Sequence, residues 1–267
     1  MADFLERALR RDRQVVAGTL LLVTVLAWVY LLAGAGMGMT AMEMTRHSMM
    51  PMPMMEHAEW DVAYAALMFC MWWLMMIAMM LPSATPMILL ATALNRRSRA
   101  DRAPYGSAAA FTAGYLLSWA MFSVIATGAQ WWLGRLRLIT PMMASASDLM
   151  AGTVLLVAGA WQFSPWKSAC LRHCRSPVQF LTEHRHPGNA GALWMGVHHG
   201  LFCLGCCWFL MALLFVGGVM NLYWIVGIAL YVAAEKVLPG GPRIARIMGV
   251  FLMLWGGWLL FRYLGSE

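Results

Sequence analysis

Residues 198–208 read His-His-Gly-Leu-Phe-Cys-Leu-Gly-Cys-Cys-Trp, two imidazoles and three thiols inside a long apolar run. On a helix each side chain steps by about 100°, so residues three, four and seven apart share a face. Met195, His199, Cys203 and Cys206 therefore form one stripe, with His198 and Cys207 to either side. Thiols and imidazoles are costly or reactive in hydrocarbon. Gathered on one face they suit Cu(I), with Zn(II) as the alternative. The bland reading is cysteine as a small buried hydrophobe and glycine as a helix-packing residue. The number of donors in one stretch favours metal handling over it.

Two further sets of soft donors flank this stretch. Cys170 and Cys174 stand four apart in a polar segment, so a helical turn would put both on one face. Lys167, Arg172 and Arg175 beside them are expected to lower the thiol pKa values and favour thiolate. Residues 37–60 hold nine Met together with His47 and His57, broken by prolines. Such a polar segment is not expected to build a core, so its methionines lack a packing role there. Thioethers are soft and uncharged, and they bind Cu(I) where free thiols would be oxidised. Met49, Met50, His47 and His57 are the candidate ligands of this outer loop. The competing reading is an amphipathic loop lying on the membrane surface. Met75 and Met79 continue a methionine stripe with Met68 and Met71 down the next apolar run. Adaptable core filling is the competing role for that stripe.

These residues need elements to position them. Of the 267 residues 61% are hydrophobic and 12% charged, and apolar runs of membrane-spanning length recur along the chain. That is the composition of an all-α, polytopic transmembrane helical bundle, because only helices and closed barrels satisfy their backbone in lipid. About seven spans are predicted, near residues 14–36, 61–95, 105–132, 147–163, 190–217, 221–237 and 247–264. Pro82 and Pro86 should kink or break the second. Asp148 suggests an N-terminal cap for the fourth, with a cation ligand as the alternative reading. Glu235 and Lys236 suggest a local ion pair, although a glutamate turned into the bundle would be functional by default. Gly256-Gly257 suggests close packing of the last span.

The basic N-terminus reads as cytoplasmic, and seven spans then put the C-terminus outside. This threading leaves fifteen of the nineteen Lys and Arg on the inner side. The first apolar run reads as an uncleaved span. The expected organisation is an N-terminal segment and first transmembrane helix (1–36), a Met/His-rich outer loop (37–60) and a six-helix metal-binding membrane domain (61–267). The net charge of +7 is spread over short loops and gives no nucleic-acid signal. The six cysteines avoid the predicted outer loops, which argues against a disulfide scaffold. There is no Walker-type loop and no D-K-T-G motif, so ATP-driven pumping is not expected.

Three motifs carry a family resemblance. They are W-x-x-M-x-x-A-M-M-x-P (Trp72 to Pro82), K-x-x-C-L-x-x-C-R-x-P (Lys167 to Pro177) and G-x-x-C-x-G-C-C-W-x-L-M (Gly200 to Met211). From about residue 60 onward the chain resembles the predicted metal-binding integral membrane proteins of domain of unknown function 2182. The resemblance implies a membrane metal-binding protein and points to Cys170, Cys174, Cys203, Cys206 and Cys207. It implies no reaction. Copper specificity rests on this sequence's own methionines.

The leading expectation is a multi-pass protein of a bacterial inner membrane that binds Cu(I). It would capture the ion outside and transfer or import it, with a membrane cuproenzyme as one recipient. A second is a non-catalytic assembly factor or accessory subunit of a larger membrane complex. A third, weaker because vicinal or four-apart cysteines make poor redox pairs, is a membrane thiol oxidoreductase.

Overall fold

The computed structural model describes residues 2–48, 60–98, 105–176, 178, 181 and 188–265. Among these, regular structure is helical apart from one isolated antiparallel bridge between Ile139 and Ser145. In chain order the helices are α1 (Ala2–Leu32), α2 (Ala41–Ser48), α3 (Val62–Ser98), α4 (Tyr105–Arg135), α5 (Asp148–Trp161), α6 (Pro165–Arg175), α7 (Gly188–Ala212), α8 (Leu214–Gly217), α9 (Leu222–Val237) and α10 (Gly241–Leu264). Five segments are long and apolar enough to cross a membrane: Arg11–Leu32, Val62–Ala93, Gly106–Arg135, Gly188–Gly217 and Gly241–Leu264.

The fourth and sixth predicted spans come out shorter. α5 has 14 residues and α9 has 16. At 1.5 Å per residue they reach about 21 and 24 Å, less than the roughly 30 Å of a bilayer core. Local chemistry sets their starts. Ser147, not Asp148, caps α5, accepting a hydrogen bond from Met150 N at 3.3 Å. Asp148 lies in the first turn and faces Arg262 at 3.7 Å. Asn221 caps α9 by accepting from Tyr223 N at 3.1 Å.

α3 is the long pillar, and it runs through Pro82 and Pro86 without a break. Hydroxyl donors gather around these prolines. Ser83 Oγ donates to Met80 O at 2.8 Å, Thr85 Oγ1 to Leu81 O at 3.1 Å and Tyr115 Oη to Met80 O at 3.2 Å. The carbonyls that lose their N–H partner to the prolines are a different pair, Ala78 O and Pro82 O. The most extensive pairings are α4 with α7 and α5 with α10, followed by α1 with α3. Of the two adjacent glycines in α10, only Gly256 sits in a seam. A Cβ there would lie 2.8 Å from Gly152 O of α5, whereas Gly257 faces open space.

The Met-rich segment after α1 is not wholly without a packing role. Thr40 and Glu43 form a reciprocal cap: Thr40 N donates to Glu43 Oε2 at 2.8 Å, and Glu43 N donates to Thr40 Oγ1 at 3.3 Å. The cap starts α2, which buries Ala41, Met44 and Thr45. Thr45 Oγ1 accepts from Leu222 N at 2.9 Å, fastening α2 to the start of α9. Met44 therefore packs in the core at 6% exposure, contrary to the expectation that this segment's methionines serve no packing.

Candidate metal centre

The α7 stripe faces the bundle. Met195, His199, Cys203, Cys206 and Cys207 are all buried, the three cysteines at 1% exposure or less. Two turns of small residues permit this, since Gly196 and Gly200 bring α7 onto the backbone and Ser118 of α4. Cys206 Sγ donates to Cys203 O at 3.0 Å and Cys207 Sγ donates to the same carbonyl at 2.9 Å. The Cys203 sulfur points elsewhere. It lies 3.2 Å from Tyr115 Oη of α4 and 3.0 Å from Lys236 Nζ of α9.

α6 brings the other two thiols to the same place. Ser164 caps it, accepting from Trp166 N at 3.2 Å, and Pro165 opens its first turn. The segment predicted as a cytoplasmic loop is thus a docked helix at this point. Cys170 and Cys174 share one face of it and are half-buried. Cys174 adjoins the Cys203 and Cys206 thiols. Cys170 lies against Gly205, where an added Cβ would come within 2.8 Å of its sulfur. The absent side chain at Gly205 is what admits α6 so close to α7.

The cations near α6 do not act as expected. Burial, then the neighbouring Cys206, pushes the Cys170 thiol up from its ordinary value rather than down. The basic groups are engaged elsewhere. Lys167 Nζ pairs with Glu235 at 2.6 Å and donates to Gln162 Oε1, with Lys167 and Glu235 each 1% exposed. Arg175 donates to Glu235 O at 2.5 Å and Pro239 O at 3.2 Å. Adjacent residues of a helix point about 100° apart, so Glu235 and Lys236 do not pair with each other. Glu235 turns to α6 and Lys236 to the thiols.

Tyr115 is absent from the sequence expectations, and Lys236, expected in a local ion pair with Glu235, instead faces the thiols. Lys236 Nζ also donates to Ser83 Oγ at 3.2 Å and stands 4.0 Å from Met80 Sδ. The signal for Lys236 was a lysine in an apolar run, which marks a site by default. Tyr115 carried no such signal. His199 lies between the rings of Phe111 and Tyr115, at centroid distances of 6.0 and 5.7 Å. His198 turns off the stripe towards Trp194 at 5.0 Å. Met75 and Met79 are buried in the core along α3. Met80 is the α3 methionine whose sulfur approaches the Lys236 ammonium, at 4.0 Å. His47 is half-exposed on α2, while Met49, Met50 and His57 lie outside the described residues.

Five thiols and a lysine ammonium thus converge where α3, α4, α6, α7 and α9 meet. Among the described residues no three or more His, Cys, Asp or Glu side chains are gathered as a preformed metal cage. The Cys206 and Cys207 thiols rest on a backbone carbonyl, and a change of rotamer would free them. The donor chemistry fits a soft cation. No curated protein and no solved structure matches the chain significantly. The family model of PpoB2, described as a copper chaperone, matches residues 69–259, and the chain belongs to that family.

Proposed function

We propose that this protein is a multi-pass membrane copper chaperone that holds Cu(I) on cysteine sulfurs and hands it to a membrane cuproenzyme or to an inward route. The observation carrying this reading is the meeting of Cys174 of α6 with Cys203 and Cys206 of α7 beside Lys236. Copper is the cargo. Cu(I) needs only two or three soft donors, fewer than the four of a closed zinc site, and so suits a set that is not a tetrahedral cage. Cys203, Cys206 and Cys174 would take the ion first, with Cys207 and Cys170 next to them. Their protons leave on binding, and Lys236 balances the negative charge the thiolates leave behind. Handover is ligand exchange, one thiolate at a time, with no change of oxidation state. His199 lies one turn before Cys203 on α7 and is a weaker candidate ligand than the thiols.

Replacing Cys203, Cys206 and Cys207 by Ser tests this directly. Purified protein is expected to lose its bound Cu(I) in a competition titration with a chromogenic Cu(I) chelator. Unchanged copper stoichiometry would refute it. The bacterial inner membrane, with the N-terminus inside, is the proposed location. Its support is the basic N-terminal segment, with Arg7, Arg10, Arg11 and Arg13, and the five apolar helices.

A further inference from the structure

A second space lies at the α2 end of the bundle, far from the thiols. It is a cavity of about 350 Å³ walled by Met37, Met39 and Met44 from the segment after α1, and by Met142 and Met143 from the turn between α4 and α5. Trp60 and Tyr64 close another side with their rings edge to face at 5.0 Å. Among the described residues no charged side chain lines it. A methionine recruited as filler closes the space it faces, because its three rotatable bonds let it collapse. Here five of them line a space that the described residues leave open.

The sulfurs at its rear are held in place. Gln130 Nε2 donates to Met143 Sδ at 2.9 Å and to Met68 Sδ at 3.2 Å, while its Oε1 accepts from Trp72 Nε1 at 2.8 Å. A thioether has two lone pairs, so a sulfur that accepts one hydrogen bond keeps a pair for a metal. The backbone at Met143 is unusual too. Its φ is 57°, in the left-handed region that side chains other than glycine avoid. Strain of that kind persists where surrounding structure demands it, often at ligand sites. Behind the cavity the buried sulfurs of Met68, Met71, Met75, Met76, Met79 and Met80 continue along α3. Met68 and Met80 are twelve residues apart, about 18 Å along the axis.

We infer that this cavity is a thioether site for a soft monovalent cation, Cu(I) or Ag(I), separate from the thiol centre, with Met37, Met39, Met44, Met142 and Met143 as ligands and Gln130 as a positioning residue. Among the described residues no carboxylate lines the cavity, so it offers little to hard cations such as Ca²⁺ or Mg²⁺. Thioethers carry no proton at ordinary pH, so this site binds without proton release and its affinity falls less in mild acid than that of the thiols. Binding is coordination alone, with no redox or covalent step.

The test uses full-length protein labelled with ¹³C at the methionine methyls and titrated with Ag(I) at pH 5.5. It is run with the native cysteines and again with Cys174, Cys203, Cys206 and Cys207 changed to Ser. The methyl resonances of the five cavity methionines, assigned by single Met→Leu variants, are expected to move in both proteins, from the first additions where the cysteines are changed and after the thiols have filled where they are native. The combined change Met37→Leu, Met39→Leu and Met44→Leu is expected to weaken Ag(I) binding at least tenfold. Stationary cavity methyls, or shifts confined to the methionines of residues 49–55, would overturn the assignment. Because the protein with native cysteines is read without substitution, a folding defect in a variant cannot decide the result. A cavity signal that survives cysteine removal also separates this site from the thiol centre, whichever way the latter's own test falls.

Discussion

The buried pair Lys167–Glu235 offers the sharpest test of how the α6 thiols are held in place. Nζ and Oε1 are 2.6 Å apart with both side chains 1% exposed. At an effective dielectric of 20 the attraction is about 6 kcal/mol. Taking two ions out of water costs several kcal/mol each, so the pair as a whole is close to neutral against an apolar replacement. Removing one partner is different, because it strands the other charge. Lys167→Met alone is expected to destabilise the protein by about 3–5 kcal/mol, and Glu235→Leu alone by a similar amount. The double variant should recover most of that loss, leaving a coupling energy of at least about 2 kcal/mol. The assay is unfolding in mixed detergent micelles followed by intrinsic tryptophan fluorescence, with maleimide labelling of Cys170 and Cys174 as a local readout. In the single variants both thiols should label faster while the buried thiols of α7 lag. Single variants that cost under about 1 kcal/mol, or a double variant whose losses simply add, would refute the reasoning.

Other expectations follow from the same geometry. Gly205→Ala would press a methyl onto the Cys170 sulfur. It is expected to speed alkylation of Cys170 several-fold and to cost about 1–3 kcal/mol in the same unfolding assay. Lys236→Met removes the ammonium 3.0 Å from the Cys203 sulfur. A charge-assisted hydrogen bond of about 1.5–3 kcal/mol predicts Cu(I) binding weakened tenfold or more in a chelator competition. An unchanged affinity would remove Lys236 from the site. The Glu43 carboxyl is held below its ordinary value of 4.5, first by the Thr40 backbone N–H and then by the Thr40 hydroxyl. A lowered folded pKa contributes stability above the ordinary value, and that stability is lost as pH falls through the folded one. Amide exchange in residues 40–45, corrected for intrinsic rate, should therefore rise below about pH 4.5 in the native protein. Glu43→Gln should exchange faster at neutral pH and lose that dependence.

Much of the architecture was legible because period and length are properties of a single segment. The 3.6-residue period placed His199, Cys203 and Cys206 on one face of α7, and the four-residue spacing placed Cys170 and Cys174 together on α6. What escaped depends on pairs of segments. Glu235 and Lys236 are neighbours in sequence, and only the packing of α6 on one side and α7 on the other decides that they serve different partners. Tyr115 looks like any aromatic of a membrane helix until Cys203 is set against its hydroxyl. The shortness of α5 and α9 is fixed by the caps Ser147 and Asn221, which hydropathy does not register. Met44 and Met143 belong to polar or irregular stretches, and their inward course follows from a capping box and a left-handed turn. Neither leaves a periodic trace.

Cys170 and Cys174 ride on a helix of eleven residues, whereas Cys203, Cys206 and Cys207 belong to a pillar of the bundle. The five sulfurs are therefore divided between a short helix and a long one, and only tertiary contacts keep the two groups together. Lys167 with Glu235, and Arg175 with the carbonyls of Glu235 and Pro239, clamp the short helix in place. Loosening that clamp would separate Cys170 and Cys174 from the other three thiols while leaving the long helix intact.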